Sequence, residues 1–327
     1  LPIPFRIVPV IIAAALALAG CSAASPAALP TPTIDSAAPV TVDNCGTQVT
    51  FASAPQRVVT IKSTSTEMLL ALGLGDRIVG TAFQDGPVPD EWAKDAAGIP
   101  SLSDQVPSEE VVLQTQPDLV YAGWESNFSA DGAGKRDELA SLGIASYVSP
   151  SACRSAQQPK KLTFDNIFGD IRQVASIFRV DPTALITAQQ ATLATVTAAK
   201  PGHDRTALWY SSGTDTPYVG AGIGAPELVL ESVGLTNIAA NVNATWAPLS
   251  WESIVNADPT FIVLVDATWN TAASKIAMLE SNPATANLTA VQKHNYLIVP
   301  FAASEAGVRT VETVASLADQ VVTLDNP

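Results

Sequence analysis

Arg57-Val-Val-Thr-Ile-Lys-Ser-Thr-Ser-Thr-Glu67-Met-Leu-Leu-Ala-Leu-Gly73 is the stretch that decides the fold. Residues 57–61 form a β-branched apolar run, 63–65 a polar break, and 66–72 a helical stretch closed by Gly73. Strand, loop, helix is the βα unit. Working outward, strands are expected at 77–81, 118–122 and 145–148, with helices at 108–114 and 134–142 between them. Such alternation gives a mostly parallel sheet with both faces covered. Upstream, residues 41–42 and 48–51 flank Asn44, Cys45 and Gly46, which reads as a β-hairpin.

Downstream the pattern starts again. Residues 164–178 have helical periodicity, and Asp181 with Pro182 open a second helix that runs to Lys200. That helix spans roughly 27 Å at about 1.5 Å per residue, enough to join two domains. After Pro201 and Gly202 come strands at 206–210, 261–265 and 296–299, with helices at 225–233, through 275–279, and from 305 to 324. The expected fold class is α/β: two Rossmann-like lobes, each with a central mostly parallel sheet, joined by one long interdomain helix. The lobes take residues 41–180 and 201–327, and the linking helix 181–200.

The chain has 327 residues, 47% of them apolar and 15% charged, with a net charge of −14. An acidic surface of this kind argues against nucleic acid as a partner. Residues 1–21 carry Arg6, an uncharged run from Ile7 to Gly20, and then Leu18-Ala19-Gly20-Cys21. A run this short falls below the roughly 20 residues of a membrane-spanning helix and reads as a cleaved signal ending in a lipobox. Cys21 becomes the lipidated N-terminus, and 22–40, rich in Ala, Ser, Pro and Thr, is a disordered tether. Cys45 and Cys153 remain as an even pair in an oxidising compartment, so a disulfide is expected. Two histidines far apart in sequence, His203 and His294, make a poor metal-ligand set, and no metal or cofactor is expected.

Several stretches resemble a known family. Residues 57–73 followed by Gly75-Asp-Arg-Ile-Val-Gly80, residues 108–120, their echo at 250–263, and residues 282–299 are similar to the siderophore, haem and cobalamin binding proteins, the helix-linked class of ABC-importer receptors. Residues 42–46, 86–92, 120–127 and 147–153 resemble the subgroup proposed to bind the deazaflavin cofactor precursor coenzyme F420-0. The resemblance implies an extracytoplasmic receptor, lipid-anchored to the outer face of the cytoplasmic membrane, monomeric, that delivers a small molecule to a permease dimer. It also implies that Glu110 and Glu252, similarly placed before Pro117 and Pro259, engage arginines of the two permease subunits.

In open α/β sheets ligands gather beyond the C-terminal ends of strands. The loops expected there carry Lys62, Ser63, Thr64, Phe83, Trp124, Asn127, Tyr210 and Trp269, joined by Trp246 and Arg309. The tryptophans and Tyr210 suit a flat ring. Lys62, the two hydroxyls, the helix N-terminal amides ahead of Glu67 and Arg309 suit an anionic tail. A flat anionic ligand is therefore expected. Siderophore, haem or cobalamin is the alternative, with Tyr121, Tyr210 or Tyr218 available to haem. Core packing explains Trp246 and Trp251 equally well, and a solvated charge explains Lys62. Gly220, Gly222 and Gly224 depart from the dinucleotide spacing and read as a tight loop at the crevice rim. A secreted hydrolase using His203 or His294 is disfavoured, because no GxSxG elbow is present and both histidines precede strands.

Overall fold

In the computed structural model, which describes Pro2 and residues 38–153 and 161–326, the chain after Ile61 does not pause in a loop. The strand Val58–Ile61 is followed by Lys62, which turns the backbone with φ of 79°, and the helix Ser63–Ala71 begins at once. The expected polar break at 63–65 is thus the first helical turn. Ser65 donates its hydroxyl to the Ile61 and Lys62 carbonyls, and the Thr60 and Thr66 hydroxyls bond each other at 2.7 Å. Hydroxyls that normally favour turns are satisfied inside the element here.

The hairpin comes first, β1 (Val40–Asn44) against β2 (Thr47–Phe51), antiparallel about Cys45 and Gly46. The N-terminal sheet then contains β3 (Val58–Ile61), β4 (Ile78–Ala82), β5 (Ser101–Ser103), β6 (Leu119–Ala122) and β7 (Ala145–Val148) in the order β5-β4-β3-β6-β7, every pair parallel. Val58, Val59 and Ile61 are wholly buried. Each such side chain stabilises the fold by about 1.5–3 kcal/mol relative to exposure.

The second sheet holds β8 (Thr206–Ser212), β9 (Tyr218–Gly220), β10 (Thr236–Asn237), β11 (Trp246–Pro248), β12 (Phe261–Asp266) and β13 (Tyr296–Pro300). Its order is β11-β9-β8-β12-β13, with β10 beside the start of β8. β8, β10, β12 and β13 run parallel, while β9 and β11 are antiparallel additions at one edge. The sheet is therefore mixed.

The helix Thr183–Ala199 joins the two sheets, about 25 Å of rod at about 1.5 Å per residue. Asp181 caps its start by accepting from the Thr183 amide and hydroxyl, and Lys200 ends it in the left-handed region. Leu193 packs against the cores of both lobes, and Leu228, Val308 and Val311 from the second lobe are buried with Met68 and Ile186 in the first lobe's core. The final helix is shorter than expected. Phe301–Ser304 forms one turn, Glu305 is extended, and the long helix Thr310–Asp325 starts only after Gly307, whose amide donates to the Thr310 hydroxyl.

Cys45 and Cys153 are disulfide-bonded across 108 residues of sequence. Closing a loop of that length contributes roughly 4–5 kcal/mol in the chain-entropy account. The bond pins the hairpin to the turn that follows β7, and Asn44 adds a reciprocal pair of hydrogen bonds with Val148. Cys21, the leader before it apart from Pro2, and the tether up to residue 37 lie outside the described residues. No helix among the described residues is long and apolar enough to cross a membrane.

An aromatic crevice at the strand ends

The N-terminal sheet reverses its winding between β3 and β6, and a sheet of this kind binds ligands beyond the strand ends at such a point. Thr64 follows β3 there, and Gly123 and Trp124 follow β6. A cavity of about 440 Å³ opens between these residues, Ser149 and Ser151 after β7, Ser211 and Ser212 at the end of β8, Trp269 after β12, and Phe301 and Glu305 after β13. Tyr218, Gly224, Thr245 and Trp246 close the far side. Its volume falls in the range of pockets for drug-sized ligands, roughly 300–1,000 Å³.

Close backbone approaches shape the wall. A Cβ on Gly123 would lie 2.5 Å from Thr64 Oγ1, and one on Gly222 would lie 1.9 Å from the Ala240 carbonyl. Only glycine fits at either place. Gly220 closes β9 against Pro226 of the helix Ala225–Val233, while Gly222 and Gly224 lie against the loop before β11, at Ala240 and Thr245.

Trp124 is the centre of the aromatic lining. Its backbone amide donates to Asn127 Oδ1 at 3.1 Å, which fixes the turn, and its indole Nε1 donates to Glu305 Oε2 at 2.7 Å. Phe83 and Phe301 meet it edge-on at 5.8 and 6.5 Å, and Trp269, 63% exposed, meets Phe301 in the same way. Across the cavity Tyr218 and Trp246 stack with an interplanar angle of 15°.

The charged groups beneath the crevice are paired. Lys62 is 1% exposed, bonded to Asp85, with its ammonium 3.9 Å from the Trp124 ring centroid and 4.4 Å from that of Phe83. Asp85 also accepts from the Ser63 amide at 3.2 Å, while its own amide donates to the Ser63 hydroxyl at 2.8 Å. The anion site expected at Lys62 and the helix N-terminus ahead of Glu67 is therefore filled by a carboxylate of the chain itself. Arg309 is likewise taken, by Glu67 at 3.4 Å and Glu312 at 3.0 Å. Burial pushes the Glu67 carboxyl up to about 7 despite the opposing pull of Arg309.

Of the residues singled out in the sequence for the ligand or the crevice rim, Thr64, Trp124, Tyr218, Gly224, Trp246 and Trp269 line the cavity. Lys62, Ser63, Phe83, Asn127 and Arg309 lie behind the wall as its supports. Tyr210 is buried, donating its hydroxyl to the Gly213 carbonyl at 2.9 Å and packing edge-on against Trp251. Tyr121 is buried, its hydroxyl accepting from that of Ser149. His203 and His294 are exposed, ahead of β8 and β13 at the opposite edge of the sheet. Sequence reading passed over Asp85, Phe301 and Glu305. The last two follow β13 and obey the same strand-end rule, but placing the start of the final helix at Glu305 hid them.

Glu110 and Glu252 are both exposed and equivalently placed. Each is the second residue of a short helix, Glu109–Gln114 and Trp251–Ala257, capped by Ser108 and Ser250 and leading into β6 and β12.

The periplasmic binding protein family matches residues 58–303, three-quarters of the chain and every strand of both sheets. The chain belongs to that family. An uncharacterized ABC transporter substrate-binding lipoprotein of Bacillus subtilis is 26% identical over 292 residues, covering 86% of this chain and 85% of the relative. A vitamin B12-binding protein of Yersinia pestis is 29% identical over 220 residues, 65% of this chain and 70% of that protein. The crystal structure of a periplasmic binding protein from Veillonella parvula superposes with a TM-score of 0.75 at 27% identity, covering 86% of this chain and 97% of that one. The periplasmic binding proteins' two-lobed architecture with one linking helix is the one found here.

Proposed function

We propose that the chain is the extracytoplasmic receptor of an ABC importer, which captures a flat small molecule in the aromatic crevice and hands it to a permease dimer. The observation that carries this reading is the cavity itself, walled by Trp124, Trp246, Trp269 and Phe301 from the strand ends of two lobes, in a chain of the periplasmic binding protein family. Stacked aromatic walls bury a ring system and add about 0.5–1.5 kcal/mol per ring contact beyond area alone. Lipid on Cys21 would hold the receptor at the outer face of the cytoplasmic membrane, and Glu110 and Glu252 would meet the permease. The folded part acts as a monomer with its lobes at 41–180 and 201–327.

The proposal includes no catalytic step and no resident cofactor. His203 and His294 sit at the wrong edge of the sheet for work in the crevice. Of the ligands suggested by resemblance, a deazaflavin precursor keeps its flat ring partner in Trp124 but loses Lys62 as the holder of its phosphate. A corrinoid is the second reading, favoured by the vitamin B12-binding relative, and its macrocycle would use the same tryptophans. Native mass spectrometry of protein purified from its own host tests the receptor reading. A co-purifying planar molecule that is lost on mild unfolding supports it, and the mass separates a deazaflavin from a corrinoid. Protein that carries no ligand and binds none from a host extract counts against it.

A further inference from the structure

Glu305 is the one carboxyl or cationic group on the cavity wall among the described residues. It sits after β13, on the second lobe, and reaches Trp124 of the first. One carboxyl oxygen accepts from the Trp124 indole at 2.7 Å, while a carboxylate offers about four acceptor positions. Acceptor capacity therefore remains toward the cavity. The cations nearby offer nothing to compete for a ligand's acceptors, since Lys62 is paired with Asp85 and Arg309 with Glu67 and Glu312. Thr64, on the same wall, is 6% exposed, and its hydroxyl oxygen has no hydrogen-bond partner among the described residues. Lys62 covers one face of the Trp124 indole, so a ring stacking on it takes the other.

We propose that Glu305 selects the ligand, accepting an N–H-bearing edge of a planar heterocycle whose face lies on Trp124. This deepens the receptor reading above and rests on it. A crevice built this way discriminates by donors: a ring of the same shape without its N–H leaves a buried carboxyl short of a partner. The preference follows the charge of Glu305. Burial lifts this carboxyl to about 7, the neighbouring Lys62 and the Trp124 hydrogen bond draw it down, and Asp85 pushes it up. Above neutrality it is a carboxylate, and charge-assisted hydrogen bonds are roughly twice as strong as neutral ones.

Calorimetric titration with lumiflavin, a planar tricycle with one ring N–H, and with 3-methyl-lumiflavin, which lacks it, tests the proposal. At pH 8.5 the wild type binds lumiflavin about ten-fold more tightly, the loss expected for a hydrogen bond to a charged group. At pH 5.5 the ratio shrinks. In Glu305→Ala it approaches one, and in Glu305→Gln, whose amide oxygen still accepts but carries no charge, it falls to the value the wild type shows at pH 5.5. The wild-type pH series needs no variant to fold. Equal binding of both probes by the wild type, or a ratio that persists in both variants, overturns the role of Glu305 and leaves the planar receptor standing. Failure of both probes to bind overturns the planar crevice and this inference with it.

Discussion

Lys62 is a cation taken out of water and held by Asp85 and by the rings of Phe83, Trp124 and Phe301. Breaking a buried pair leaves one charge unpaired, which costs about 3–5 kcal/mol, whereas replacing both partners by apolar groups is often nearly neutral. Lys62→Ala should therefore lower stability by about that amount, and Lys62→Met with Asp85→Leu should recover most of it. Denaturant midpoints at constant m-value measure both. A Lys62→Ala protein as stable as wild type would mean that the pair does not form. Such a residue is hard to read in advance. A lysine just after a strand looks like a loop charge, and nothing local announces that a carboxylate 23 positions later caps the same helix turn. Trp124 was legible because its polar neighbours exclude a core role, whereas Glu305 was hidden by a helix start placed five residues too early.

At the scale of elements, legibility followed local pattern. The helices Phe164–Phe178 and Ala225–Val233 and the strand Ala145–Val148 fall where periodicity and β-branched runs put them. Tyr218–Gly220 and Trp246–Pro248 carry no such signal, since glycine and proline weaken a strand. They exist because β8 offers them an edge to pair with. The loop after β12 is held in a similarly non-local way. Lys275, 2% exposed, donates its ammonium to the carbonyls of Val265 and of Asn270, the latter at 2.8 Å, and Asp266 accepts from the Ala272 amide at 2.7 Å. These bonds bracket Trp269. Lys275→Met keeps the stem but strands two carbonyls, so it should cost about 1–3 kcal/mol. It should also weaken the near-ultraviolet circular dichroism of the exposed tryptophan and lower ligand affinity. An unchanged spectrum would show that Trp269 is positioned without Lys275.

The molecule as a whole stores several carboxyls in places that disfavour their charge. Burial pushes Glu67, Asp170 and Glu305 each up to about 7, above the ordinary carboxylate range. Between the unfolded values near 4 and the folded values near 7, the native state binds more protons, so their contribution to stability is present at low pH and lost as pH rises. The melting temperature should fall between about pH 5 and 7.5, and Asp170→Asn should flatten part of that slope. A melting temperature that climbs over the same range would contradict the burial of these groups. The docking proposed above would use the opposite kind of carboxylate, exposed ones. A helix that feeds a parallel strand runs antiparallel to it, so Glu110 and Glu252, at the starts of helices leading into β6 and β12, stand at the strand edge that also bears the crevice. Rim charges of this kind set register and encounter rate. Glu110→Ala and Glu252→Ala should each leave ligand affinity and melting temperature unchanged, since exposed substitutions usually stay within about 0.5 kcal/mol. Each should lower stimulation of the permease ATPase in proteoliposomes severalfold, with a larger loss for Glu→Lys and a loss that shrinks as salt is raised, because exposed pairs are screened within about 8 Å at physiological ionic strength. Wild-type stimulation by the double alanine variant, with ligand binding intact, would move the docking surface elsewhere on the receptor.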